Sequence, residues 1–198
     1  SCPGLIDGRI GKGASFDGGR PLITSVARSV LEYDSADFTW ATWMRDDGSS
    51  NNRKIVGTYC TGDSEVAYLR LSNEGNVVFY YLAGESSNPS MQVVSDVDVD
   101  DGEWHHVAVV RDFSGETTTM YVDGVVSGST TITPTAGSLA GCGGYALGNP
   151  NANGNGGNSY LGDLDEFVMY DRAFSAEEIA GLYSAEVVQG SILSIPLN

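Results

Sequence analysis

Carboxylates and histidines are the residues of this chain that could do acid–base chemistry. The run Asp163-Leu164-Asp165-Glu166 places three acids within four residues, and glycoside hydrolysis uses two carboxylates about 5 Å apart or wider. His105 and His106 are the two histidines, and as neighbours in a strand they face opposite ways and cannot act as a pair. No Ser/His/Asp elbow or glycine-rich phosphate loop stands in the sequence. We therefore expect a non-catalytic protein.

Metal-binding patterns are also incomplete. Residues 96–102 read Asp-Val-Asp-Val-Asp-Asp-Gly, but an EF-hand would need Gly at Asp101 and Glu at Val107, so we predict a solvated loop. No C-x-x-C or Cys/His spacing indicates zinc. The three cysteines allow one disulfide in three ways. They are Cys2, Cys60 and Cys142.

The elements that would position these groups are mostly strands. Residues 104–126 alternate in period two around a polar turn and predict a central hairpin with both faces apolar. Residues 38–45 predict a second core strand. One helix is predicted at 176–183, with Ser175 as N-cap and Glu178 completing a capping box. Further strands are predicted at 26–33, 54–59, 65–71, 77–83, 91–94, 145–148, 160–170 and 187–197. The fold class is therefore an all-β, two-sheet antiparallel jelly-roll sandwich with one short C-terminal helix.

Four motifs carry a resemblance to a known family. They are Trp-His-His-Val-Ala-Val-Val-Arg with Tyr-Val-Asp-Gly in 104–124, Gly-Lys-Gly-Ala-Ser-Phe-Asp-Gly-Gly at 11–19, Phe-Thr-Trp-Ala-Thr-Trp-Met-Arg at 38–45, and Gly-Asp-Leu-Asp-Glu-Phe-Val-Met-Tyr-Asp-Arg-Ala-Phe-Ser-Ala-Glu-Glu-Ile at 162–179. Together they resemble a laminin-G-like domain of the concanavalin A-like lectin/glucanase superfamily, and the order of elements also resembles the pentraxins. The Glu-x-Asp-x-x-Glu signature of the superfamily's retaining glucanases is absent, because Val168 stands where its last Glu would be.

The resemblance implies calcium. Similar domains hold a structural ion between an early Phe-Asp-Gly turn and a late Asp-Glu strand, which here implies Asp17 and Asp165, a carbonyl such as that of Gly18, and Asp163 as a further member. The pentraxin resemblance implies a second site at Asp63 and the Asn149–Asn151 region. That site departs from the pattern, since Ser64 replaces an expected Asn and residues 149–159 hold no acid.

The same edge is the predicted place for sugar, because amide side chains both donate to and accept from vicinal hydroxyls and an aromatic ring can stack on a sugar. The candidates are Asp63, Asn149, Asn151, Asn153 and Tyr59. If Cys60 and Asn149 share this edge, Cys142 lies up to about 20 Å back along the chain. That separation favours a Cys2–Cys142 disulfide, unless Gly143-Gly144 folds the chain over.

The charge and hydropathy of the chain limit the classes of partner that it could bind. Ten basic against 26 acidic residues give a net charge of −16, which argues against nucleic acid and anionic membranes. No apolar run is long enough to insert in a membrane. We predict one domain over 1–198, acting as a calcium-stabilised carbohydrate-binding or adhesion module of a larger secreted or cell-surface protein. The alternatives are a polysaccharide lyase on the same fold and a protein-binding laminin-G-type module.

Overall fold

The period-two segments of the sequence become strands of two antiparallel sheets. We describe a computed structural model of the chain, which covers residues 3–25, 36–46, 48, 53–60, 67–82, 90–131, 142–148, 158–184 and 193–195. The side chains of Tyr59, Cys60 and Cys142 lie outside this description, although their backbone is included. Among the described residues no helix is long and apolar enough to span a membrane.

Fourteen strands and one helix occupy the described residues. They are β1 (Gly4–Asp7), β2 (Lys12–Asp17), β3 (Leu22–Ser25), β4 (Phe38–Asp46), β5 (Lys54–Cys60), β6 (Ala67–Leu71), β7 (Asn76–Leu82), β8 (Ser90–Asp98), β9 (His105–Asp112), β10 (Thr117–Val122), β11 (Val125–Thr131), β12 (Cys142–Leu147), β13 (Leu161–Tyr170), α1 (Ala176–Tyr183) and β14 (Leu193–Ile195).

The strands divide into two sheets that face each other. One sheet has eight strands in the order β1-β2-β13-β4-β9-β10-β11, with β14 paired to β13, and the other has six in the order β3-β12-β5-β6-β7-β8. Neighbouring strands are antiparallel throughout. The predicted two-sheet jelly roll is confirmed.

The core lies between the sheets and is built around Trp40. Its indole makes edge contacts with Phe79 at 5.6 Å, Tyr145 at 5.2 Å and Phe167 at 6.3 Å between ring centroids. These rings come from both sheets, and Trp40 is fully buried. Aromatic pairs in this geometry contribute about 0.5–1.5 kcal/mol each beyond the area they bury. The predicted central hairpin is confirmed as β9 and β10, which bury both faces as the apolar alternation requires.

Helix α1 begins where the sequence predicts. Ser175 accepts from the backbone N–H of Glu178 at 3.3 Å, and the Glu178 carboxylate accepts from the backbone N–H of Ser175 at 3.0 Å. This capping box satisfies two N–H groups that the first turn of a helix leaves without intrahelical partners.

One element is longer than predicted. The strand expected at 91–94 continues as β8 to Asp98, so Asp96 to Asp98 are exposed strand residues and not a solvated loop. The extension is held by Asn76, whose side-chain amide donates to Asp98 at 2.9 Å, and by Val99, whose N–H donates to Gly75 at 2.9 Å. The strand predicted at 26–33 falls outside the described residues. Of the one predicted at 187–197, β14 is the described part.

Candidate functional site

The two sheets differ in what covers their outer faces. Helix α1 packs on the outside of the eight-stranded sheet, where buried Ile179 joins an apolar cluster. Its other buried members are Ala41, Ala108, Val110, Tyr121, Tyr170 and Phe174. Among the described residues no helix covers the outside of the six-stranded sheet. The described part of that second surface carries partly exposed aromatic side chains.

Two tyrosines lie on the outward side of the six-stranded sheet. Strand β6 alternates strictly: Ala67, Leu69 and Leu71 are fully buried in the core, so Tyr68 and Arg70 point outward and are partly exposed. Tyr68 lies directly across from Tyr80 of β7, and the two rings stack with centroids 5.1 Å apart and planes 24° from parallel. They form a flat aromatic surface on the sheet.

Polar groups surround the two rings. The Lys54 ammonium lies 5.1 Å from the Tyr68 ring centroid, and the register places Arg70 opposite Lys54 and Gln92 opposite Tyr80. We call Lys54, Tyr68, Arg70, Tyr80 and Gln92 the tyrosine face. An aromatic ring can pack on the apolar face of a pyranose or furanose, while ammonium, guanidinium and amide groups hydrogen-bond to hydroxyls or carboxylates. The arrangement is chemically suited to a saccharide.

A second outward cluster lies on the helix side. The Arg45 guanidinium sits 4.9 Å from the Trp104 ring centroid and donates to one Asp163 oxygen from Nε at 2.9 Å and from a terminal nitrogen at 2.6 Å. Its charged groups are thus already paired with each other, and the guanidinium covers the indole. We regard this cluster as a stabilising surface network.

The structure does not bring Asp17 and Asp165 together. On β13, Asp17 is opposite Leu161, whereas Asp165 is four residues further along, which separates them by about 13 Å. Asp17 accepts from the N–H of Gly19 at 3.0 Å, and Gly18 has a φ of +78°, so both shape the turn after β2. The common shell expected for Asp17, Gly18 and Asp165 is not formed.

Asp165 is instead a buried carboxylate that accepts hydrogen bonds from backbone N–H groups. It is fully buried, and its two oxygens accept from the N–H groups of Ile10 at 2.8 Å and Glu166 at 2.9 Å. Burial raises the pKa of Asp165, although these backbone hydrogen bonds oppose the rise. A side chain at Gly8 would collide with the carboxylate. Asp165 therefore holds the turn between β1 and β2 against β13.

A metal centre is not formed by the predicted carboxylates. Asp163 is engaged by Arg45, and Asp165 lies under a backbone turn. No group of three or more acidic, cysteine or histidine side chains able to hold an ion occurs in the described part of the chain. These residues do not fit the calcium shell that the resemblance implies.

The strand register places only the neighbours of the predicted sugar edge. Asp63, Asn149, Asn151 and Asn153 lie outside the described residues, as does the side chain of Tyr59. Gly148, the neighbour of Asn149, donates to Ile55 at the start of β5, whereas Cys60 ends β5 five residues further, or about 17 Å away. Because β12 runs antiparallel to β5, Gly148 and Cys60 lie towards opposite ends of β5, while Asn149 itself lies outside the described residues.

The histidines occupy different environments. His105 sits between two carboxylates, with Nδ1 2.8 Å from Asp123 and Nε2 3.2 Å from Asp101. His106 packs against Trp43 with ring centroids 5.3 Å apart, and burial lowers its pKa to about 4. No described residue hydrogen-bonds to Nδ1 of His106.

The comparisons agree with this geometry. A family model of laminin G type, described as the concanavalin A-like lectin/glucanases superfamily, matches residues 17–180. The chain belongs to this family. The rat protein named "Sushi, von Willebrand factor type A, EGF and pentraxin domain-containing protein 1" is 25% identical to this laminin G-type domain over 165 residues, or 80% of the domain. The domain spans about 4% of the length of the curated relatives it matches.

Solved structures share the fold of this laminin G-type domain. The binding domain of Paraclostridial Mosquitocidal Protein 1 superposes with a TM-score of 0.72 at 17% identity, covering 93% of this chain and 46% of that one. Domain 4 of AbnA, an extracellular arabinanase of family GH43 from Geobacillus stearothermophilus solved with arabinotriose, has a TM-score of 0.67 at 20% identity, covering 92% and 82%. At these identities the likeness establishes the fold.

The tyrosine face was missed by sequence reasoning about this laminin G-type domain. Neither Tyr68 nor Tyr80 is among the site residues that the sequence predicts. The signal was present in Ala67-Tyr68-Leu69-Arg70-Leu71, where alternation with three small or aliphatic residues puts Tyr68 on the polar side.

Proposed function

We propose that this laminin G-type domain is a non-catalytic carbohydrate-binding module and that the tyrosine face is its saccharide surface. The observation that carries the proposal is the stacked Tyr68–Tyr80 pair on the sheet that α1 does not cover. The rings supply apolar contact area, and Lys54, Arg70 and Gln92 place two cationic groups and an amide around it. Such a mixture fits a ligand that is apolar on one face and hydroxylated at its rim.

Similar structures support a binding role. They include the binding domain of Paraclostridial Mosquitocidal Protein 1 and an arabinanase domain solved with arabinotriose. Because the matched relatives are many times longer, we propose that the domain works within a larger secreted or cell-surface protein and tethers it to a glycan.

Calcium stabilisation stays a proposal of its own. Asp17, Asp163 and Asp165 do not form a common shell, so ligands would have to come from segments outside the described residues. Asp63, Asn149, Asn151 and Asn153 are the predicted ones there. A bound ion must raise the melting temperature by mass action, so equal midpoints in calcium and in EDTA would remove this proposal without touching the saccharide surface.

A glycan array tests the function. The purified domain is applied to immobilised plant, bacterial and animal glycans, arabinan oligosaccharides among them, in calcium and in EDTA, and the same polysaccharides are incubated with it and assayed for new reducing ends or unsaturated products. We expect saturable binding to one glycan class and no depolymerisation. Absence of binding in both buffers would contradict the proposal, and depolymerisation would replace the binding role with an enzymatic one.

A further inference from the structure

Two of the three cysteines occupy opposite positions in neighbouring strands. In the ladder between β5 and β12, Cys60 is the partner of Cys142. Directly opposed residues of an antiparallel pair have Cα atoms about 4.5–5.5 Å apart. A disulfide needs a Cα separation of about 4.4–6.8 Å, so the backbone spacing at this pair is suitable.

The register at this pair is fixed by the core. Tyr145 pairs with Thr58 and Leu147 with Val56, and all four residues are buried. A slip of one residue would move each side chain to the other face of its strand, taking the Tyr145 ring and the Leu147 side chain out of the core. The alignment of β12 on β5 is therefore strongly specified.

A β-bulge completes the alignment. Gly144 pairs with Tyr59 and Cys142 with Cys60, so Gly143 is an extra residue in β12. Without the extra residue Gly143 would oppose Cys60, and Cys142 would fall one position beyond the end of β5. The bulge thus brings the two cysteine positions into register, as a Gly-Gly step permits.

The geometry points to a Cys60–Cys142 disulfide that ties β5 to β12, leaving Cys2 as the third thiol. This pairing replaces the expected Cys2–Cys142 bond, which rested on an edge shared by Cys60 and Asn149. The bond forms by exchange with a small-molecule disulfide such as oxidised glutathione. One protein thiolate attacks that disulfide and expels one thiol, then the second protein thiolate attacks the mixed disulfide and expels the other. Two protein protons and two electrons thereby pass to two glutathione thiols.

Peptide mapping tests the pairing directly, because trypsin puts each cysteine in a different peptide. The peptides are residues 1–9 with Cys2, 55–70 with Cys60 and 112–172 with Cys142. The domain is equilibrated with reduced and oxidised glutathione, alkylated while unfolded but unreduced, digested and analysed by mass spectrometry. We expect 55–70 linked to 112–172, and 1–9 alkylated. A link from 1–9 to either other peptide, or alkylation of all three, would overturn the inference.

Stability provides a second readout. Reduction should lower the melting temperature of the wild type by about 5–15 °C, because the bond closes a long loop in the unfolded chain. Cys2→Ser should keep this shift, and Cys60→Ser combined with Cys142→Ser should lose it. An equal shift in the double variant would contradict the inference. The mapping requires no glycan, so its outcome is independent of the proposed function.

Discussion

His105 Nδ1 lies 2.8 Å from a carboxylate oxygen of Asp123, while His106, the next residue, donates its backbone N–H to the other oxygen of Asp123 at 2.9 Å. One carboxylate therefore serves two adjacent histidines in different ways. For His105 it is a direct partner of the ring. For His106 the same carboxylate bonds only to the backbone N–H, and the His106 imidazole is buried among aromatic rings.

The two imidazoles should titrate in opposite directions from the ordinary pKa of about 6.5. Burial opposes protonation of His105, but hydrogen bonds and charges from Asp123 and Asp101 outweigh it and raise its pKa. Burial lowers the pKa of His106 to about 4. Because the chain has two histidines, an NMR titration of imidazole protons should show two signals, assigned with His105→Gln. Two midpoints near 6.5 would contradict these environments.

The free energy of unfolding should depend on pH because of the lowered pKa of His106. The pKa of His106 is lower in the folded chain than in the unfolded chain, so as the pH falls the unfolded chain binds a proton first. The contribution of His106 to the free energy of unfolding is therefore present above about pH 6.5 and is lost as the pH falls towards 4. The loss is about 3 kcal/mol at its limit. His106→Phe keeps an aromatic ring beside Trp43 and should flatten the decline between pH 6.5 and 5, measured by urea unfolding. An unchanged decline would show that other groups cause it.

Asp165 should stabilise the fold without metal. Asp165→Ala leaves the N–H groups of Ile10 and Glu166 without their acceptor, and we expect a loss of about 1–3 kcal/mol in the free energy of unfolding. The loss should be equal in calcium and in EDTA. Asp7→Ala, which removes an exposed partner of Lys12, is the control and should leave stability unchanged. A loss seen in calcium alone would restore Asp165 as a metal ligand.

Helix α1 should depend on its capping box. Ser175→Ala removes the acceptor for the Glu178 N–H and should cost about 1 kcal/mol in chemical denaturation. Ser184→Ala, at the exposed C-terminal end, should cost less, since the Ser184 backbone N–H still bonds to Ala180. Equal costs would mean that the cap does not set the stability of the helix. Neither change should affect binding at the tyrosine face, which lies on the other sheet.

Local patterns predicted the elements well. The Ser175–Glu178 box depends on residues three apart, and the hairpin of β9 and β10 on alternation within each strand, so both can be read from short stretches. The fold class followed from these segments together with the four family motifs.

The alignment of neighbouring strands could not be predicted from the sequence. Whether Asp17 meets Asp165 depends on how β2 aligns with β13, and the core sets that alignment through residues such as Leu164, which pairs with Ala14. The Gly143 bulge likewise re-aligns Cys142, which no spacing of cysteines reveals. Tyrosine suits both core and surface positions of a strand, so Tyr68 and Tyr80 could be recognised as a pair only across the β6–β7 ladder.

The most direct test of the tyrosine face compares tyrosine variants on the same glycan array. Tyr68→Ala combined with Tyr80→Ala removes both stacked rings, and Tyr183→Ala removes a partly exposed ring that stacks on Trp43 at the end of α1. Circular dichroism confirms that each variant is folded. We predict that the double variant loses at least about tenfold in affinity for every glycan the wild type binds, which corresponds to about 1.4 kcal/mol, while Tyr183→Ala binds as the wild type does. Wild-type binding by the folded double variant would contradict the account.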